Sequence, residues 1–357
     1  MNSTERSSLL ERGRLDLETT RMLYDEADLL TLGQLAQEVR FRFNPDQVVT
    51  FAVDRNINYT NVCVSRCAFC AFARDKAHPE AYVLDQQTLT RKCEETLDLG
   101  GTQILYQGGL NPELNLDWHE DQIRLMRGMG LHVHGFSPPE IVFMARQNSL
   151  NPREVIERLV AAGLGSIPGG GAEILVDRVR RSVSPAKATT DEWLDVMRTT
   201  HRLGLKTTAT MMFGHLETPG ERLAHLFLLR RLQDETGGFT AFIPWPYQPG
   251  QNTLPARPAG STTYLRLLAI SRLVLDNFPH IQASWVTQGP DIGQVALHFG
   301  ADDLGSTMIE ENVVAAAGVS HRLSRAEMVR LIEAAGFRAR QRNTLYQPVE
   351  PMPEGRP

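Results

Sequence analysis

From about residue 51 onward, short β-rich runs alternate with amphipathic helical segments about eight times. This alternation constrains the fold strongly, because strands separated by helices pair in parallel through right-handed crossovers. Strands are predicted over 53–59, 102–106, 131–136, 206–213, 239–245 and 281–286. A short strand is expected just before Gly169 and a last short one near 302–306. Helices are predicted over 87–99, 118–129, 152–163, 190–203, 221–235, 262–278 and 291–299. Leu89, Cys93, Thr96 and Leu97 share one helical face. Asn151-Pro152 offers a cap followed by a first-turn proline, and Thr189 with Glu192 has the capping-box spacing. The repeat suits an α/β fold, a closed (β/α)8 TIM-type barrel, better than an open sheet. On this reading 1–50 is an N-terminal helical extension, 51–320 the barrel, and 321–357 a C-terminal helix and tail. Residues 348–357 are rich in proline and charge and are expected to be disordered.

A chain of 357 residues that is 42% hydrophobic and 22% charged can bury a large core. A net charge of −5 offers no footprint for nucleic acid. The first residues, Met1 to Arg6, lack the apolar core of a signal peptide, and no apolar run approaches a membrane span. Closely spaced unpaired cysteines suit a reducing compartment, so a cytoplasmic protein is expected.

In a parallel barrel the chemistry gathers at the C-terminal strand ends. The unusual residues fall there repeatedly: Cys63, Cys67 and Cys70, then Gly108-Gly109, then Ser137 to Glu140, Gly169 to Glu173, Gly214 to Glu217, and Pro244 to Pro249. Six such loops in register are hard to explain as ordinary turns. The cysteines have the spacing C-x3-C-x2-C and use three of the chain's four. Three thiolates on one loop can hold a cubane iron–sulfur cluster and leave one iron open. A structural zinc site with His78 as fourth ligand is the competing reading, although zinc sites usually pair C-x2-C with a second pair. An iron–sulfur electron carrier is another. Cys93 stands alone in a helical pattern and reads as a small buried apolar residue.

Other candidates carry a bland alternative beside the chemical one. Glu140 and Glu173 could bind hydroxyls or take a proton, and His215 could do either. Arg180 and Arg181 could clamp a carboxylate, or simply lie on an exposed helix face. Met212 could be core filler. Trp245 and Tyr247, held between prolines, could wall a flat substrate or merely cover the barrel end.

The cysteine loop, with Phe69 just before its last cysteine, resembles the motif of the radical S-adenosylmethionine superfamily. The resemblance implies a 4Fe–4S cluster on Cys63, Cys67 and Cys70, with S-adenosylmethionine bound at the open iron and cleaved to a 5′-deoxyadenosyl radical. It implies Phe69 near the adenine, Gly108 and Gly109 receiving the methionine ammonium, Met212 against the adenine, and Gly214 turning the backbone. Arg181, as a carboxylate clamp, is counted with the expected cofactor contacts.

Asn56 to Cys63, Ser166 to Glu173, Gln233 to Phe239, Phe242 to Trp245 and Gly300 to Met308 narrow the match. Over roughly 50–345 the chain is most similar to the cyclic dehypoxanthine futalosine synthase family, in the branch that makes menaquinone precursors and the deazaflavin chromophore. That family often has an aromatic residue at 65 and a basic one at 68, where this chain has Ser65 and Ala68. Neither position is a ligand.

The similarity implies a small-molecule substrate, dehypoxanthine futalosine, and an external one-electron donor such as flavodoxin or ferredoxin. It implies hydrogen abstraction from C4′, addition of the carbon radical to the benzoate ring, and loss of a ring proton and an electron. Glu173, His215 and Glu140 are the candidates for proton or hydroxyl contacts. Aminofutalosine synthase and the tyrosine-cleaving half of the deazaflavin chromophore synthase are the sister alternatives.

Overall fold

Two acidic caps open the chain's ordered part. Asp16 accepts the Thr19 N–H to start α1 (Leu17–Glu26), and Asp28 accepts the Thr31 N–H to start α2 (Leu29–Phe43). The computed structural model describes residues 13–250, 252–319 and 321–350. The signal-peptide reading of Met1 to Arg6 therefore lies outside the described residues.

The chain then runs through β1 (Val48–Ala52), β2 (Asp54–Asn58), α3 (Gln86–Asp98), β3 (Gln103–Gln107), α4 (Leu116–Gly128), β4 (His132–Gly135), α5 (Pro138–Gln147), α6 (Pro152–Ala162) and β5 (Leu164–Ile167). It continues through α7 (Asp177–Val183), α8 (Thr190–Arg202), β6 (Lys206–Phe213), α9 (Pro219–Thr236), β7 (Phe239–Pro246) and α10 (Ser261–Val274). It ends with β8 (His280–Ile281), α11 (Trp285–Gln288), α12 (Pro290–Ala296), β9 (Asp303–Ser306), α13 (Arg325–Ala334) and β10 (Arg338–Gln341).

Strands β2 to β8 pair in chain order, all parallel. The eighth seam is irregular but bonded on both sides. The Ala283 N–H donates to the Asp303 carbonyl at 2.8 Å, and the Thr307 and Ile309 N–H groups reach the Ala52 and Asp54 carbonyls at 3.1 and 3.0 Å. The sheet thus curls round until β9 lies between β8 and the β1–β2 strand, as the eightfold alternation requires.

Alternation of side chains sorts the two faces. On β2, Asp54, Asn56 and Asn58 face the barrel interior, while Ile57 joins the apolar layer under the helices. Trp193 and Trp285 are fully buried in a second apolar layer, which continues to α1, α2 and α10. Each such fully buried large side chain contributes roughly 1.5–3 kcal/mol.

Three local departures from the sequence reading have physical causes. Ser137 to Glu140 opens helix α5, because two prolines are tolerated in a first turn when a serine and a glutamate close a capping box. The predicted strand 281–286 is cut short by helix α11, whose Trp285 indole donates to the Ser306 carbonyl. Residues 48–50, read as part of a helical extension, belong to β1, and β10 pairs beside that strand. Segments 48–51 and 338–341 therefore meet at one edge of the barrel. Val349 continues the pairing by donating to the Gln341 carbonyl, so 348–350 is bonded. The rest of the expected disordered tail lies outside the described residues.

Candidate active site

A cavity of about 420 Å³ occupies the barrel interior, reaching from the cysteine loop to Arg342 and Thr344 on the C-terminal segment. Its wall carries buried groups whose polar needs the protein does not meet. Asn56 Oδ1 and Tyr346 Oη line it and make no hydrogen bond among the described residues.

The cysteine loop leaves β2 and is pinned by backbone bonds. Cys63 N–H donates to the Arg74 carbonyl at 3.1 Å, Val64 N–H to Leu110 at 3.0 Å, and Cys70 N–H to Cys67 at 3.1 Å. Two contacts already address sulfur: Leu110 N–H to Cys63 Sγ at 3.3 Å, and Ser65 Oγ beside Cys67 Sγ at 3.2 Å. All four cysteines are free thiols; the three of the loop line the cavity, and Cys93 is buried on α3. Among the described residues no three metal-ligating side chains are grouped to hold one ion. A cubane is compatible with it, since each thiolate there takes a different iron.

Gly108 and Gly109 sit at the cavity wall. A Cβ on Gly108 would lie 2.6 Å from the Tyr59 ring, and one on Gly109 only 2.2 Å from the Val62 carbonyl. Their smallness is thus already required by the packing of the cysteine loop itself. Glu140 fixes the same corner. Its carboxyl accepts from Tyr59 Oη at 2.8 Å, Gly108 N–H at 3.1 Å, and Ser137 N–H and Oγ at 2.7 and 2.5 Å. Burial pushes this carboxyl above the ordinary range, with those bonds opposing.

Glu173 has φ 42° in the glycine-rich loop after β5, and Lys187 Nζ donates to it at 2.8 Å. Burial pushes the Glu173 carboxyl up, but Lys187 and Arg180 outweigh it and hold the group below the usual range. Lys187 also lies 5.1 Å from the Phe69 ring centroid. Burial would lower its ammonium, yet the neighbouring Cys67 and Glu173 raise it above the ordinary lysine value. Arg180 is turned inward and donates to the carbonyls of Gly171 at 3.1 Å and Ala172 at 2.5 Å, so it braces the loop.

Of the remaining candidates, all but Trp245 stand outside the cavity wall. Met212 is buried behind Phe69 with Val183, Tyr247 and Leu254. Gly214 has φ 85° and abuts Ala259. His215 is shielded from solvent: Nε2 meets the Met212 carbonyl at 2.9 Å, and Nδ1 accepts the Leu216 N–H at 2.8 Å. Beside it, Glu217 takes the Gly214 and His215 N–H groups and the Arg222 guanidinium. This set closes the turn after β6 and leaves the imidazole no free nitrogen for acid–base work. Arg181 is exposed on α7 with Asp177 at 3.9 Å, the bland alternative for that residue. Trp245 lines the cavity, whereas Tyr247 is buried and donates to Asn252 Oδ1.

Lys187, His134 and Arg342 line the cavity and were not singled out from the sequence. Lys187 follows a serine–proline turn with no periodic pattern to mark it. His134 did have a signal: His132 and His134 are two apart on a predicted strand and so share a face.

Known protein families match most of the chain. Residues 57–229 match the radical SAM superfamily, and 236–355 match the CofH/MqnC C-terminal region. The chain is 44% identical to a cyclic dehypoxanthine futalosine synthase of Halalkalibacterium halodurans, over 95% of this chain and 94% of that one. It is 40% identical to a 5-amino-6-(D-ribitylamino)uracil–L-tyrosine 4-hydroxyphenyl transferase of Archaeoglobus fulgidus, over 88% and 92%. The FeFe-hydrogenase maturase HydG of Carboxydothermus hydrogenoformans superposes with a TM-score of 0.76 at 16% identity, over 96% of this chain and 80% of that one, which speaks to the fold. Among the described residues no helix is long and apolar enough to cross a membrane.

Proposed function

The chain belongs to the radical SAM superfamily, in the branch with a CofH/MqnC C-terminal region, and from that premise we propose that it converts dehypoxanthine futalosine to its cyclic form in menaquinone biosynthesis. The observation that carries the reading is near-full-length similarity to a synthase of that name, joined to a cavity that begins at three free thiols.

Membership brings two cofactors, a 4Fe–4S cluster and S-adenosylmethionine. Cys63, Cys67 and Cys70 would hold the cluster, which, with an electron from an external donor of the flavodoxin or ferredoxin class, supplies the 5′-deoxyadenosyl radical. The chain's own residues do the positioning. Glu140 and Tyr59 fix Gly108, whose backbone faces the cofactor end of the cavity, and Phe69 offers that end an aromatic wall. The Glu173–Lys187 pair sets a fixed anion and cation beside it. Asn56 and Gln107 give the deeper wall amide groups suited to a sugar's hydroxyls. The surrounding barrel excludes water from a radical on carbon.

The test is anaerobic incubation with dehypoxanthine futalosine, a reductant and S-adenosylmethionine. The cyclic product should form together with 5′-deoxyadenosine. Deuterium placed at C4′ should appear in that 5′-deoxyadenosine. Turnover of tyrosine or of enolpyruvyl benzoate in its place would move the chain to a sister activity.

A further inference from the structure

On the cavity wall, two histidines share one serine. His134 Nδ1 and His132 Nε2 each lie 2.7 Å from Ser166 Oγ. The two rings come from one strand, β4, and the serine from its neighbour β5, whose register sets Ser166 beside His134. His134 lines the cavity, with its Nδ1 turned to Ser166. His132 stands nearer the barrel's N-terminal end and is only partly buried.

A hydroxyl has one proton to give. If Ser166 donates to His132, it accepts from His134, and both rings carry their proton on Nδ1. If it donates to His134, both carry it on Nε2. With the Ser166 proton in one of these two contacts, the two neutral rings hold the same tautomer and change together. In the first arrangement His134 Nε2 offers a lone pair to the cavity.

We propose that His134 is the base that takes the benzoate-ring proton in the cyclisation, and that Ser166 and His132 carry that proton out of the cavity. The inference rests on the cyclase reading above. When the ring C–H breaks, its electron pair stays in the ring and its proton goes to His134 Nε2. The His134 Nδ1 proton moves to Ser166 Oγ, and the Ser166 proton moves to His132 Nε2. His132 then holds the positive charge and releases a proton toward solvent. The ring's surplus electron leaves separately to a one-electron acceptor, an oxidised iron–sulfur cluster.

The carboxylates in the cavity wall are poorer candidates. Glu140 already accepts four hydrogen bonds. Glu173 is held as an anion by Lys187 and Arg180. Asp54 accepts from Ser306 and Gln103, and Glu311 from three backbone N–H groups. The charged groups around the relay favour neutral rings. Burial, then His132 and Arg342, depress His134 to about 3; burial, then Arg127, depress His132 to about 4. So weak a base needs a relay that passes the charge on.

The test uses the holoenzyme and substrate deuterated at C4′. Ser166→Ala and His134→Gln should keep their iron and still deliver deuterium to 5′-deoxyadenosine. In His134→Gln the cyclic product should fall by about 10²-fold or more, the scale of a lost general base. Ser166→Ala should lie between this variant and wild type. Deuterium at the ring position that is lost should then slow product formation in the variants. Parallel loss of deuterium transfer and product, or no loss of either, would overturn the assignment.

A second measurement needs no substrate. With ¹⁵N-labelled histidine and the cluster oxidised, His134 and His132 should show the same tautomer in wild type and become independent in Ser166→Ala. Opposite tautomers in wild type overturn the relay. If wild type makes no cyclic product yet the tautomers are coupled, the function reading fails and the base assignment with it, while the shared Ser166 contact stands.

Discussion

Lys187 Nζ lies 2.8 Å from Glu173 Oε1, a buried pair formed across the mouth of the glycine-rich loop. Removing one partner strands the other as a buried charge. Lys187→Met is expected to destabilise the fold by about 3–5 kcal/mol, the usual cost of breaking such a pair. Adding Glu173→Gln should recover most of the loss. Denaturant unfolding of the two single variants and the double variant measures this, and additive losses would show that the pair is not coupled.

Cys63, Cys67 and Cys70 line one cavity, while Cys93 is buried on α3 and does not line it. Alanine at any of the first three should sharply reduce iron bound after anaerobic reconstitution. Cys93→Ala should leave iron unchanged. Full iron in Cys67→Ala would remove the cluster from this loop.

Gly109→Val tests what the glycine is for. Were the position open toward a ligand alone, a valine would weaken S-adenosylmethionine binding and leave the cluster intact. The Val62 carbonyl, 2.2 Å from the would-be Cβ, says otherwise. The loop bearing Cys63 must shift, so both iron content and S-adenosylmethionine binding should fall. Normal iron with weakened S-adenosylmethionine binding would contradict the packing argument.

The barrel was legible because hydrophobic period and caps are local: Thr189 with Glu192 forms the box its spacing promised. The C-terminal strand ends pointed to the cysteine loop, Gly108, Glu140 and Glu173, all of which line the cavity. Orientation was not legible. His215 and Met212 sit at a strand end as expected, yet the turn at Gly214 folds His215 back on the Met212 carbonyl. Lys187 reaches the site only because a short helix intervenes after Glu173, and no pattern of period two or 3.6 marks such a turn. Strand β10 escaped notice because its half-exposed Arg338, Ala339, Arg340 and Gln341 lack an apolar face.

The buried histidines give a pH prediction with a definite sign. Burial depresses His119, His134 and His225 to about 3, and His132 and His201 to about 4. In the unfolded chain each returns to about 6.5. Between those values the unfolded state binds protons that the folded state does not, so stability rises with pH across that window. The contribution is fully present above about pH 6.5 and is lost progressively as the pH falls toward 4. Denaturant midpoints should therefore decrease steadily from pH 7 to pH 5, with net proton uptake on unfolding in that range. Replacing Ser166 should leave most of this slope in place, since burial is the leading cause for each ring. A midpoint that stays flat from pH 7 to pH 5 would mean that these imidazoles reach solvent in the folded protein.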